Sequence, residues 1–92
     1  MTEAELRAKV VALAHLLGWR VFSLAIAQQR RPVRDASGYP DLTLARARDV
    51  LWIELKAEDG RLSEAQLDWM RDLPHWLCVR PSDLDSLALV LR

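Results

Sequence analysis

The stretch from Pro40 to Ala57 reads PDLTLARARDVLWIELKA, and its alternation decides the architecture. Two short apolar segments, Asp41 to Arg46 and Val50 to Ala57, flank Ala47-Arg48-Asp49, a separation suited to an antiparallel hairpin. Side chains of a strand alternate between faces, so Leu42 and Leu44 take the core side, while Leu51, Ile53 and Leu55 share one face of their own strand. Asp41 and Thr43 then stand opposite the core, next to Glu54 if the strands pair, and Glu54 shares its face with Trp52 and Lys56. Two carboxylates and an ammonium are expected to converge there.

Upstream of the hairpin, Thr2 followed by Glu5 has the form of a capping box, and Leu6, Val10, Leu13 and Leu17 recur at helical spacing until Gly18. This predicts a first helix. Trp19 to Ala27, WRVFSLAIA, is rich in β-branched and aromatic residues and predicts a strand, followed by a long loop that ends at the turn signal Ser37-Gly38-Tyr39-Pro40. Downstream, Ser63 and Gln66 repeat the capping-box pattern, and Leu67, Met70 and Leu73 form an apolar stripe that Pro74 stops. His75 to Arg80 reads as a short buried strand, and Pro81-Ser82 opens a last helix with Leu84, Leu87, Ala88 and Leu91 on one side. The order αβββαβα argues for an α/β fold, a mixed sheet flanked by helices, with no internal repeat.

A chain of 92 residues, about half of them apolar, is expected to form one domain spanning residues 1–92. No apolar run reaches the roughly 20 residues that span a bilayer, and Glu3 and Glu5 stand where a secretory signal would be basic; a cytoplasmic protein is expected. The lone Cys78 excludes an internal disulfide, and no Cys/His spacing suggests structural zinc, so Cys78 is read as core. Thirteen basic residues balance thirteen acidic ones, which speaks mildly against nucleic acid as a partner. Positive charge is concentrated early, however: residues 1–56 hold nine Arg/Lys against six Asp/Glu. Within that part, Gln28-Gln29-Arg30-Arg31-Pro32-Val33-Arg34 is a basic loop suited either to phosphates or to staying solvated.

Hard divalent cations prefer oxygen ligands, commonly one or two carboxylates plus waters and a substrate phosphate, and Asp41 and Glu54 suit that task, with the Leu55 carbonyl as a further ligand. Lys56 is then placed to orient a bound water or to neutralise developing charge, which is the chemistry of phosphodiester hydrolysis. The alternative is that Glu54 and Lys56 are ordinary solvent-facing strand residues. The triplet gains weight because Lys is scarce here, only Lys9 and Lys56 against eleven Arg.

Gly38-Tyr39-Pro40-Asp41-Leu42 followed by Glu54-Leu55-Lys56 resembles the PD-(D/E)-x-K nuclease signature. The continuation Gly60-Arg61-Leu62-Ser63, then Gln66 and Trp69, is similar to the VRR-NUC branch of that superfamily, including its small stand-alone phage and bacterial members. The resemblance runs from Thr2 to the final Pro81-Ser82-Asp83-Leu84 helix. It implies a restriction-endonuclease-like αβββαβ core, Mg²⁺ or Mn²⁺ as cofactor, DNA as substrate, branched or four-way junction DNA for some members, and a homodimer. The competing expectation is a non-catalytic DNA-binding or protein-interaction module on the same fold. No Gly-rich phosphate loop or nucleophile elbow appears, and no organic cofactor is expected.

Many relatives carry a Glu in the first helix within an E-x-x-apolar-Gln pattern, which Glu3-Ala4-Glu5-Leu6-Arg7 matches except at Arg7. Glu3 projects along the Leu6, Val10 and Leu13 stripe, whereas Glu5 is explained by capping; Glu3 either reaches the metal site or is a first-turn acid favoured by the helix dipole. Gln66 likewise has two readings, the reach-back bond of a cap or, by resemblance, a place facing Lys56 and the scissile phosphate. Ser23 and Leu24 stand where many relatives carry a His. His15 and His75 have no partner at ligand or triad spacing and are read as surface. Trp52, Trp69 and Trp76 either stack on bases or, as large aromatics more often do, border the core.

Overall fold

Thr2 begins the first helix by accepting the Glu5 N–H at 3.1 Å, while the Glu5 carboxylate accepts the Thr2 N–H at 3.0 Å. In the computed structural model, which describes residues 1–92, this helix, α1, covers Glu3–Leu16 and buries Leu6, Val10 and Ala14. Leu13 and Leu17, from the expected stripe, pack partly buried against the same cluster. Gly18, at φ +87, turns the chain into strand β1, Arg20–Ser23.

The expected strand over Trp19 to Ala27 is cut short here: Leu24–Gln28 form a short helix, α2. The reason lies in the partner strand. Ser23 pairs with Leu42, the first residue of β2 (Leu42–Arg46), and the Leu24 N–H goes to the Asp41 carbonyl at 3.0 Å. That is the last bond of the ladder: before Asp41 the partner leaves strand geometry through Ser37-Gly38-Tyr39-Pro40, where Gly38 has φ +75. Past that point Leu-Ala-Ile-Ala-Gln follows its helical propensity.

Strand β3, Asp49–Leu55, pairs with β2 in the register that places Leu42 against Ile53 and Leu44 against Leu51. Arg46 faces Asp49, so the loop holds two residues, Ala47 and Arg48, rather than the three expected. Both have positive φ, 48° and 75°, as in the tight primed turns whose twist matches that of the strands. Helix α3, Glu64–Asp72, starts at the expected Ser63/Gln66 capping box and leads into β4, Trp76–Val79, which pairs parallel to β3. A 3-10 turn at Pro81–Asp83 then enters α4, Leu84–Val90.

The sheet order is β1-β2-β3-β4, antiparallel except for the last pair. One face carries Leu42, Leu44, Ile53, Leu55 and Val79 and is buried against Leu6 and Val10 of α1 and Leu87 and Leu91 at the α4 end. The other face carries Phe22, Thr43, Trp52 and Glu54 and lies under α3, whose Gln66 reaches Glu54. This is a mixed four-stranded sheet flanked by helices, with a restriction-endonuclease-like element order, α2 inserted and α4 appended. No helix is long and apolar enough to cross a membrane.

Two arginines tie the loops to this frame. Arg46 stacks on buried Trp19, 4.3 Å from its ring centre, and donates to the carbonyls of Leu17 and Leu91. Arg80 donates one guanidinium nitrogen to the carbonyls of Ala57, Glu58 and Gly60, at 2.6, 3.2 and 2.7 Å, gathering the loop that leaves β3.

Candidate active site

Glu54 is the one charged side chain the fold buries, at 4% exposure. The hairpin register sets Asp41, one residue before β2, across from it, and the two carboxyl groups meet within hydrogen-bonding range. Asp41 is held in turn by the Leu55 N–H, which donates to its Oδ2 at 2.8 Å. A carboxylate that far from water resists ionisation. Burial, and then the hydrogen bond and charge of Asp41, push the Glu54 carboxyl up to about 9, against the pull of Lys56.

Lys56 follows the last residue of β3, and its N–H still reaches the Val79 carbonyl at 3.1 Å, so its backbone is fixed by β4. Gly60 folds back on its stem, where a Cβ would meet the Lys56 Cδ at 3.4 Å. Gln66 makes the reach-back bond of the cap, and the same amide also reaches Glu54. Its Oε1 accepts the Ser63 N–H at 2.8 Å, completing the cap, while its Nε2 donates to the Glu54 Oε2 at 3.2 Å. A side-chain amide carries a donor and an acceptor on separate atoms, so one residue does both.

Glu3 is exposed at the start of α1, near enough for its charge to raise the Glu54 pKa. It does not join Asp41 and Glu54 in a cluster of three acidic, His or Cys side chains. One turn later Arg7 is half-buried, and its Nε has no partner. His15 and His75 are exposed, and Cys78 is half-buried with its thiol pKa raised by burial. Trp52, Trp69 and Trp76 are all half-buried, and none packs against the buried core cluster.

Sequence reasoning missed two supports of this site. Gly38 takes φ +75 and lies so close to α3 that a Cβ would run into the backbone carbonyl of Ala65. That close approach seats Tyr39-Pro40-Asp41 against the helix that carries Gln66. Arg80 is the second, holding the loop behind Lys56. Gly38 could have been found from the turn signal around it; nothing local in the sequence marks Arg80.

The family model of the VRR-NUC domain matches residues 4–75, a span that includes Asp41, Glu54, Lys56 and Gln66. The chain belongs to the VRR-NUC family. VRR-NUC domains are nuclease domains, so the acidic pair lies in a protein of the phosphodiester-cleaving class. Glu3 falls just outside the matched span, as do β4 and α4 of this VRR-NUC chain. Comparison with curated proteins and with solved structures gave no significant match.

The donor set fits a hard divalent cation. It consists of carboxylate oxygens from adjacent strands, one of them buried and reluctant to ionise without a positive charge beside it. The largest cavity, ≈ 330 Å³ between α1 and the β1–α2 edge, is lined by residues such as Val11 and Ile26 and contains no acidic side chain.

Proposed function

We propose that this VRR-NUC chain hydrolyses DNA phosphodiesters with Mg²⁺ or Mn²⁺ held by Asp41 and Glu54, the Leu55 carbonyl completing the ligands. The observation that carries the reading is the buried Glu54 carboxyl beside Asp41, with Gln66 bonded to it and the charge of Lys56 acting on it. When bound, the cation supplies Lewis acidity and lowers the pKa of a coordinated water.

The residues of the chain do the rest. Asp41, fixed by the Leu55 N–H, and Glu54, fixed by the Gln66 amide, present their oxygens in one orientation, so little rearrangement is needed on binding. Lys56 brings a full positive charge to the edge of the pair, where its ammonium orients the attacking water and offsets the charge that builds on the phosphoryl oxygens. Glu3 is assigned a lesser role, adding negative charge to the cation site from α1.

We extend the reading to branched DNA cut by a homodimer. The domain measures 31 × 30 × 27 Å, too little surface for reading a long duplex sequence, whereas a two-fold pair presents two centres to the strands of a four-way junction. The protein works in the cytoplasm on this reading.

Purified protein with Mn²⁺ is expected to cut flapped or four-way DNA, and Lys56→Ala to abolish cutting with its circular dichroism spectrum unchanged. Equal activity in the variant would assign the cutting to a contaminant and leave a non-catalytic DNA-binding or interaction module. Sizing in solution tests the homodimer, and a strict monomer would end the junction-resolving part.

A further inference from the structure

The sheet face that carries Glu54 also holds a cavity of ≈ 290 Å³ that the hydrolytic reading does not use. Its walls include Phe22 of β1, Val33 and Arg34 of the basic loop, Asp35 just after it, Tyr39, and Trp69 of α3. Two of these walls flank the acidic pair. Tyr39 precedes Asp41 by two residues, and Trp69 lies one turn beyond Gln66 on α3, where Cβ atoms are about 5–6 Å apart. Phe22, Thr43 and Trp52 form the cross-strand row next to that of Asp41 and Glu54.

The walls are preset. Trp69 donates its Nε1 to the Ser37 carbonyl at 3.0 Å, Trp52 donates to the Tyr39 hydroxyl at 3.0 Å, and the Tyr39 and Trp69 rings meet edge to face at 4.8 Å. Phe22 remains 51% exposed, so an aromatic ring at the rim has no partner within the chain. The neighbouring positive charge is also unspent. Arg71–Asp68 is the only salt bridge in the molecule, so Arg30, Arg31 and Arg34 pair with no carboxylate.

An aromatic slot with an arginine on its wall, at the small end of ligand pockets (about 300 Å³ and upward), suits a flat ring joined to a phosphate. It is too small for a helix. We propose that this cavity takes one unstacked nucleobase of the strand presented to Asp41 and Glu54, with Arg34 on an adjoining phosphate. The inference rests on DNA being the substrate, and it narrows that substrate to DNA with an unpaired nucleotide beside the phosphate to be cut. Stacking on an aromatic platform tolerates any base, so the selection is for strand structure and not for sequence.

The test is a pair of fluorescein-labelled branched DNAs, identical except that one unpaired nucleotide at the branch is replaced by an abasic residue. Binding is followed by anisotropy in EDTA, where no cutting occurs. The protein is expected to prefer the DNA with the base about tenfold, within the range of single-base stacking. Val33→Trp, at a loop position 43% exposed, fills the cavity without touching the core and is expected to bring the ratio to about one, as is Trp69→Leu. Arg34→Gln is expected to weaken both DNAs alike.

A ratio near one in the unaltered protein overturns the inference, and so does a tenfold ratio that survives Val33→Trp. Failure to bind either DNA overturns it together with the DNA reading. Tight, base-dependent binding without cutting in Mn²⁺ supports the base slot and sinks the nuclease reading, whereas cutting with a ratio of one does the reverse.

Discussion

Replacing Glu54 with glutamine keeps the shape of the side chain and removes its charge, and the effect on stability has a definite sign. In the folded, metal-free protein the Glu54 carboxyl keeps its proton to about 9, against 4.5 for an unhindered glutamate. Between those values the folded state binds a proton that the unfolded state has released, so stability is full below the unfolded pKa and is lost as pH rises toward the folded one. The ceiling is about 1.4 kcal/mol per pH unit, which gives up to about 4 kcal/mol between pH 5 and pH 8. For a domain of this length that corresponds to a fall in Tm on the order of 15–30 °C. Glu54→Gln lacks this slope and is expected to match the parent at pH 5 and to exceed it at pH 8.

A divalent cation recovers most of this loss. At a hundred times its Kd, Mn²⁺ stabilises the parent at pH 8 by about 3 kcal/mol and leaves the glutamine protein unmoved. The assay is thermal unfolding followed by circular dichroism, in EDTA and in Mn²⁺, at several pH values for both proteins. Groups that titrate in both proteins cancel in the difference. Parallel pH profiles for the two would refute the reasoning, because Glu54 would then carry no abnormal proton.

Gly38→Ala is expected to destabilise the protein by about 2–3 kcal/mol, since it adds a Cβ at positive φ against the α3 backbone. Gly18→Ala, with similar φ but only an ordinary contact to the Arg46 Cδ at 3.9 Å, is expected to cost about 1 kcal/mol; urea titration of both separates strain from collision. Asn-Gly in place of Ala47-Arg48 is expected to raise stability by about 1 kcal/mol, because both positions already have the left-handed backbone that this pair prefers, and an unchanged urea midpoint would argue against that. Arg80→Gln removes the charged donor shared by three carbonyls of the loop behind Lys56. It is expected to cost about 2 kcal/mol and to lower kcat more than it raises KM, as steady-state cleavage would show.

The hairpin was legible because strand alternation is a local rule. Leu42, Leu44 and Ile53 had to share a face, and that alone brought Asp41 beside Glu54. Both long helices were legible for a similar reason, since each begins at a capping box closed within four residues. The stretch after Ser23 was misread because its β propensity competed with a condition invisible locally, the end of the partner ladder at Asp41. Ala47-Arg48 carries no glycine or asparagine, so the two-residue turn left no trace in composition. The clasps of Arg46 and Arg80 depend on carbonyls about 20 or more residues away, and no spacing rule reaches that far.

The amide of Gln66 binds a helix end and an acidic side chain at once. Helix ends fray before helices melt, and the first turn of α3 is closed by that same amide. Each brief opening of the turn therefore frees Glu54 to swing away, so warming should silence the protein a few degrees before it unravels. Heat-inactivation and melting curves that coincide would show that the two bonds of this amide open independently.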